Sequence, residues 1–350
     1  MKTRKRLWIV ITAFATALGL GVGITAAVML VQAREAAQPV GVVSAYLSHV
    51  QRGEITAAMR MEGRAAKPTE ILLTDKAYRQ ATDRMTGYSI LGTQTVGTTS
   101  EVRVRIQQKS GSSTATFELA EVKNPISLLG ITVWRLKPVV LESVAVTLGA
   151  PGRIDATLSG VPLGWKGATV NLHAFPGRYS LAIKSQSPWY TLPGGDIPVE
   201  GFSGDNQFMR TATLTAKGQD AATAAANAWF DKCTADPDFH PAGCSFSLTS
   251  GANPGEVWTN QSWQVQTRPT IKLGDWAFDC PVSTPSPEIG CWNVTSAPPG
   301  LVNFHANYSI PATGETGDVT STGPIQAKVE GWITSFTDAG AVFTSTPWNN

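Results

Sequence analysis

A stretch of 25 residues without a charged side chain, Leu7–Val31, is the feature that most constrains this chain. As an α-helix it would cross a hydrocarbon core of roughly 30 Å with some tilt. It is preceded by basic residues and no acidic residue: Lys2, Arg4, Lys5 and Arg6. Because positive residues are retained in the cytoplasm, the sequence predicts a cytoplasmic tail at 1–6, a single-pass transmembrane helix (a signal-anchor) at 7–32, and an extracellular remainder.

A cleaved signal peptide is the alternative for this segment, because Val31-Gln32-Ala33 places small residues as a cleavage site does. The apolar region of a signal peptide runs about 7–15 residues, so the greater length favours an uncleaved anchor. Gly19 and Gly23 form a G-x-x-x-G pattern, which lets two membrane helices approach closely, although glycine is also common in membrane helices.

The four cysteines all lie in the distal part of the chain, as Cys233/Cys244 and Cys280/Cys291. Four cysteines allow three pairings, and two equal short spacings favour two local disulfide loops. Such bonds belong in an oxidising compartment, which agrees with an extracellular location. A zinc site made of all four cysteines is the alternative, but the short C-x-x-C spacing typical of such a site is missing.

Charge divides the chain unevenly. Residues 34–138 carry 14 basic and 9 acidic side chains, whereas residues 205–350 carry 6 basic and 13 acidic ones. This shift predicts a domain boundary near 204. The basic part could face anionic headgroups or wall polymers, but solvated faces that keep each domain soluble are the favoured interpretation. The formal net charge of +2 disfavours a nucleic-acid binder.

Residues 39–138 predict a first module of α+β type. Apolar residues at helical spacing are followed by a segment in which they alternate, and the two sets are Val43, Tyr46, Leu47, Val50 and Val102, Val104, Ile106. We expect helices over 54–61 and 75–85, and then an antiparallel sheet. The phrases VVSAYLSHVQRG, EITAAMRM and TVWRLKP resemble the cystatin-like or nuclear-transport-factor-like extracellular modules of single-pass actinobacterial membrane proteins. That resemblance implies binding more often than catalysis, and it transfers no catalytic residue.

Residues 139–204 predict a second module, a small all-β sandwich, because turn signals recur every 8–12 residues. Its phrase VNLHAFPGRY is similar to the turn and strand of PEGA-like surface modules, and to repeated domains of teicoplanin-resistance-associated membrane proteins. The resemblance implies a stalk or an adhesion module. Residues 205–350 predict a third module of α+β type, braced by disulfides, with one clear helix over 216–232.

The motifs of common hydrolases and nucleotide-binding enzymes are missing from the sequence, including H-E-x-x-H, G-x-S-x-G and S-x-x-K. We therefore expect neither catalysis nor a cofactor. One loop, C-T-A-D-P-D-F-H, places Asp236, Asp238 and His240 at alternate positions, where they could hold a divalent cation. A polar loop tip inside the Cys233–Cys244 ring is the alternative.

Seven of the eleven tryptophans lie in the third module. Trp258, Trp263 and Trp292 stand beside polar residues, so we expect them to be exposed and able to stack on sugar rings, with core packing as the alternative. The sequence thus predicts a membrane-anchored binding or scaffolding protein of the cell envelope. Its expected partners are the bilayer and either cell-wall glycan or a membrane protein. A wall-modifying enzyme and an accessory subunit of a membrane complex are the alternatives.

Overall fold

The computed structural model describes residues 35, 37–122, 132–163, 169–280 and 290–347. The helices are α1 (Pro39–Arg52), α2 (Ile55–Met61), α3 (Asp75–Gln80) and α4 (Ala216–Ala235). The strands are β1 (Gly87–Val96), β2 (Thr99–Gln107), β3 (Ser112–Val122), β4 (Val133–Leu136), β5 (Glu142–Gly149), β6 (Ala156–Leu158), β7 (Val161–Leu163), β8 (Thr169–Ala174), β9 (Gly177–Ile183), β10 (Tyr190–Thr191), β11 (Gly195–Val199), β12 (Asp205–Thr211), β13 (Thr213–Leu214), β14 (Val257–Thr267), β15 (Ile271–Ala277), β16 (Cys291–Ser296), β17 (Gly300–Ile310), β18 (Glu315–Thr320), β19 (Ile325–Ala327), β20 (Gly331–Thr337) and β21 (Gly340–Ser345). The described residues form mostly β-sheet, with few helices.

The predicted cytoplasmic tail at 1–6 and the predicted anchor at 7–32 lie outside the described residues. Within the described ranges, no helix combines the length and the apolar character needed to span a bilayer.

The first module begins with α1, whose buried residues repeat at three- and four-residue intervals: Val43, Tyr46, Leu47 and Val50. Gly53 ends this helix at φ 74°, in the left-handed region that favours glycine. Thr74 caps α3, because its side chain accepts a hydrogen bond from the Ala77 N–H. We expected α3 to reach residue 85, but it ends at Gln80, because Thr82 then forms two backbone hydrogen bonds with Arg178.

After these helices, β1 to β4 form an antiparallel sheet in sequence order. In β2, exposed and buried residues alternate along the whole strand, and Val102, Val104 and Ile106 point into the core. The order of helices followed by an antiparallel meander is the one predicted from the sequence.

The second module contains two sheets, ordered β11-β9-β6-β7 and β12-β5-β8. Strand β12 runs parallel to β5 and pairs with it from Asp205 to Thr211. The structure therefore carries this module past the predicted boundary at 204. The boundary was inferred from exposed charge, which does not determine how strands pair.

The third module packs α4 against β13, β14, β15 and β21. One sheet has the order β14-β17-β18 with β19 also on β17, and the other has the order β15-β16-β20-β21. Disulfides join Cys233 to Cys244 and Cys280 to Cys291, as the spacing predicted, with Cα–Cα distances of 5.8 and 6.0 Å.

The modules share one apolar core with two junctions. At the first junction, the Phe202 ring of the second module packs against Phe117 and Tyr46 of the first, with ring centroids 5.2 and 6.4 Å apart. At the second junction, the Trp292 indole N–H donates to the Ala212 carbonyl over 3.3 Å. Gly149 lies so close to Trp276 that a Cβ there would be 2.5 Å from the indole nitrogen.

Candidate ligand-binding groove

A groove of about 590 Å³ opens in the third module, between the 247–253 loop and the sheet that contains β14, β17, β18 and β19. Its lining residues are Ser247, Leu248, Thr249, Ser250, Gly251, Asn253, Glu256, Trp258, Tyr308, Val319, Thr320, Ser321, Thr322, Gly323 and Ile325. We refer to this set as the Trp258 groove.

Two aromatic side chains form part of the wall of this groove. Trp258 on β14 lies directly opposite Tyr308 on β17, so both side chains are on the same face of the sheet. Along β17 this face carries buried residues at every second position, namely Val302, Phe304 and Ala306. Tyr308 continues the same series, and it reaches the groove where the buried part of the face ends.

The Trp258 ring is supported from behind by the core. It lies 5.7 Å from the Phe304 ring and 5.9 Å from the Phe239 ring, measured between centroids, and remains partly exposed. Tyr308 is fitted as closely, because a Cβ at Gly317 would lie 2.6 Å from its ring. A side chain at that position would displace the tyrosine ring from where it now lies.

Glu256 fixes the orientation of the Trp258 indole. Its Oε2 accepts hydrogen bonds from the Trp258 Nε1–H over 3.2 Å and from the Asn253 backbone N–H over 3.0 Å. Its Oε1 accepts one from the Asn253 side-chain amide over 2.7 Å. The Asn253 side chain, its backbone N–H and the indole N–H all favour the charged form, so they lower the pKa of Glu256.

The Cys233–Cys244 disulfide closes a loop that supports the groove from outside. Within this loop, the Phe239 carbonyl accepts a hydrogen bond from the Leu248 N–H over 2.9 Å. The Phe239 ring also lies against Gly251, where a Cβ would be 2.8 Å from it. The disulfide loop therefore positions both Trp258 and the 247–253 loop.

The chemistry of the lining residues suits a ligand rich in hydroxyl groups. Six serine and threonine hydroxyls, one amide and one carboxylate accompany the two aromatic rings. Each serine or threonine hydroxyl can donate and accept, as can the hydroxyls of a sugar, whereas a ring face can cover the apolar face of a pyranose. Glu256 is the sole carboxylate among the lining residues that the structure describes.

The structure corrects two of the three predicted ligand-binding tryptophans. Trp263 is 6% exposed and Trp292 is 1% exposed, so neither offers a surface to a ligand. Both sit at inward positions of their strands, and the polar neighbours that suggested exposure point outward. Trp258 is the one of the three that lines the groove.

Asp236, Asp238 and His240 lie in the loop closed by Cys233 and Cys244, but the structure does not assemble them into a metal site. The Asp236 carboxylate accepts from the Asp238 N–H and the Asp238 carboxylate from the His240 N–H, each over 3.0 Å. Across the described ranges, no group of three or more His, Cys, Asp or Glu side chains is placed to hold a metal ion. The two carboxylates instead stabilise successive turns.

Sequence reasoning missed Tyr308, Glu256 and Asn253. Alternation along β17 is a signal that could have found Tyr308, because the tyrosine continues the apolar series of that strand. The Asn253–Glu256 turn leaves no such signal, since its role depends on the indole that it meets. Comparison with family models, with curated proteins and with solved structures found no match to this chain.

Proposed function

We propose that this chain is a membrane-anchored binding or scaffolding protein of the cell envelope, and that it binds a glycan in the Trp258 groove. In this proposal Leu7–Val31 is the anchor. The cystatin-like cone, the small β-sandwich and the disulfide-braced module are all extracellular. The two disulfides support an oxidising compartment, which an extracellular location provides.

The observation that carries the proposal is the pairing of Trp258 and Tyr308 on one sheet face, surrounded by hydroxyl groups. Binding fits this groove better than glycoside hydrolysis, because most glycosidases place two carboxyl groups on either side of the scissile bond. Glu256, the one carboxylate among the described lining residues, already accepts three hydrogen bonds, one from the Trp258 indole and two from Asn253.

The test is retention of the full chain, in detergent, on insoluble peptidoglycan. Because an aromatic contact contributes about 1–1.5 kcal/mol, Trp258→Ala should weaken retention by about tenfold. Trp134→Ala, which removes another half-buried tryptophan from the first module, is the matched control and should leave retention unchanged.

Equal retention of Trp258→Ala and the unmodified chain would refute the groove as the binding site. Release of soluble wall fragments by the unmodified chain, lost in Glu256→Gln, would instead support the wall-modifying enzyme.

A further inference from the structure

The outer face of the first module's sheet carries two adjacent arginines. Arg103 and Arg105 occupy exposed positions of β2, on the opposite side from its buried residues. Arg103 lies between Gly92 on β1 and Thr116 on β3, and Arg105 lies between Ser89 and Thr114. The neighbours of both arginines across the sheet are therefore small and uncharged.

Neither arginine takes part in an ion pair among the described residues. The acidic side chains of this face lie toward one end, where Glu101 is opposite Glu118 and Glu118 pairs with Lys137 over 3.0 Å. Arg103 and Arg105 thus form no ion pair in the described part of the chain, and the acidic side chains of this face lie on the far side of Arg103 from Arg105. A guanidinium binds phosphate oxygens through two parallel hydrogen bonds, so the charge and the geometry complement a phosphate.

The first module directly follows the predicted anchor in the sequence, so the nearest phosphates are those of the lipid headgroups. Seven residues, 32–38, separate the apolar stretch of the predicted anchor from α1. The Gln38 N–H donates to the Glu35 carbonyl over 3.2 Å, so this segment turns and spans less than the fully extended limit of about 25 Å. In the proposed topology the start of α1, and with it the first module, therefore lies close to the bilayer surface. Val96, 67% exposed at the end of β1, adds an apolar side chain on the same face.

We propose that Arg103 and Arg105, with Thr114 and Thr116 beside them, dock on the anionic phospholipid headgroups of the bilayer that holds the anchor. The inference rests on the anchor of the proposed function but not on the Trp258 groove. Docking lays the first module flat on the membrane, and it therefore sets the direction in which the other two modules leave the surface.

The test uses the full chain reconstituted into vesicles of phosphatidylcholine alone or mixed with phosphatidylglycerol. A fluorophore at Ser112→Cys, an exposed position at the start of β3, reports proximity through quenching by headgroup-labelled lipid. We expect stronger quenching with phosphatidylglycerol, reversed by salt. Each arginine near an anionic surface contributes about a factor of five, so Arg103→Gln/Arg105→Gln should lower the ratio of docked to undocked protein by about 25-fold.

Lys67→Gln/Lys76→Gln is the matched control, since it removes the same charge from two exposed lysines outside the sheet. Equal quenching in both lipids, or equal losses in both double variants, would overturn the proposal. So would capture of soluble polyphosphate by the arginines without any approach to the vesicle.

Resistance to carbonate extraction tests the anchor separately from the arginines. If the chain fails to insert, flotation with phosphatidylglycerol vesicles still tests the arginines.

Discussion

Both junctions between modules contain packed aromatic rings, but the first also contains a buried carboxylate. At the first junction the fully buried Glu62 side chain accepts hydrogen bonds from the Tyr46 hydroxyl over 2.8 Å and from the Val139 N–H over 3.1 Å. It also pairs with Arg64, with 2.9 Å between Nε and Oε2. At the second junction Trp292 packs against the rings of Trp276, Tyr190 and Phe336.

This difference shows two ways of holding neighbouring modules in a fixed relation. A buried carboxylate with three partners requires each donor to lie in a specific direction and requires one protonation state. Removing the carboxylate leaves buried donors without an acceptor, which lowers the free energy of unfolding. Packed rings instead depend on side chains of the right volume to fill the space, and their packing does not change with pH. We therefore expect the first junction to respond to charge and the second to respond to size.

The largest effect should come from removing the central ring of the second junction. Trp292→Ala should lower the free energy of unfolding by about 4 kcal/mol, because it leaves a large cavity among rings that cannot close around it. The measurement is urea denaturation followed by circular dichroism. Trp292→Phe, which restores most of the volume, should lose less than half as much, and a loss below about 1 kcal/mol for Trp292→Ala would contradict the cavity argument.

A somewhat smaller loss should follow Glu62→Ala at the first junction. The substitution leaves the Tyr46 hydroxyl, the Val139 N–H and the Arg64 guanidinium without their acceptor, and we expect it to cost about 3 kcal/mol of unfolding free energy. The same denaturation assay applies. Glu121→Ala, at an exposed position of β3, is the control and should change stability by less than about 0.5 kcal/mol.

The smallest expected effect is a pH dependence of the unfolding free energy that arises at the first junction and not at the second. Burial raises the pKa of Glu62 above its ordinary value of 4.5, although Tyr46, Arg64 and the Val139 N–H oppose the shift. Above that ordinary value the folded chain therefore binds more proton at Glu62 than the unfolded chain does. The contribution of Glu62 to stability is complete below pH 4.5 and is lost as the pH rises through the folded pKa.

Comparison with Glu62→Gln isolates this contribution. The stability of the unmodified chain relative to Glu62→Gln should fall as the pH rises above 4.5, while its stability relative to Trp292→Phe should stay constant. Other carboxyl groups with shifted pKa values, such as Glu54 at about 2, are common to all three chains and cancel. If both stability differences, relative to Glu62→Gln and relative to Trp292→Phe, stay constant with pH, then the pKa of Glu62 is the same in the folded and unfolded chain.

Much of the secondary structure could be predicted because its signals are local. The spacing of Val43, Tyr46, Leu47 and Val50 places α1, and the alternation from Val102 to Ile106 places β2. The disulfide pairing followed from short equal loops. The end of α3 and the pairing of β12 with β5 could not be predicted, because both depend on strands that are distant in sequence.

The candidate site was predictable only in part for the same reason. Trp258 was among the three tryptophans proposed, but polar neighbours alone did not distinguish it from Trp263 and Trp292. What separates them is depth in the fold, since Trp258 lies where the sheet face leaves the core and the other two lie within it. That depth depends on the register of β14 on β17.

The parallel pairing of β5 with β12 also has a consequence for the synthesis of the chain. The first residues of this ladder, Ser143 and Asp205, are far apart along the chain. While the chain is synthesised from its N-terminus, one edge of β5 has no hydrogen-bonding partner until β12 has been made. During that interval it is open to pairing with other extended chains. Covering of this strand edge during that interval would therefore favour correct pairing over aggregation.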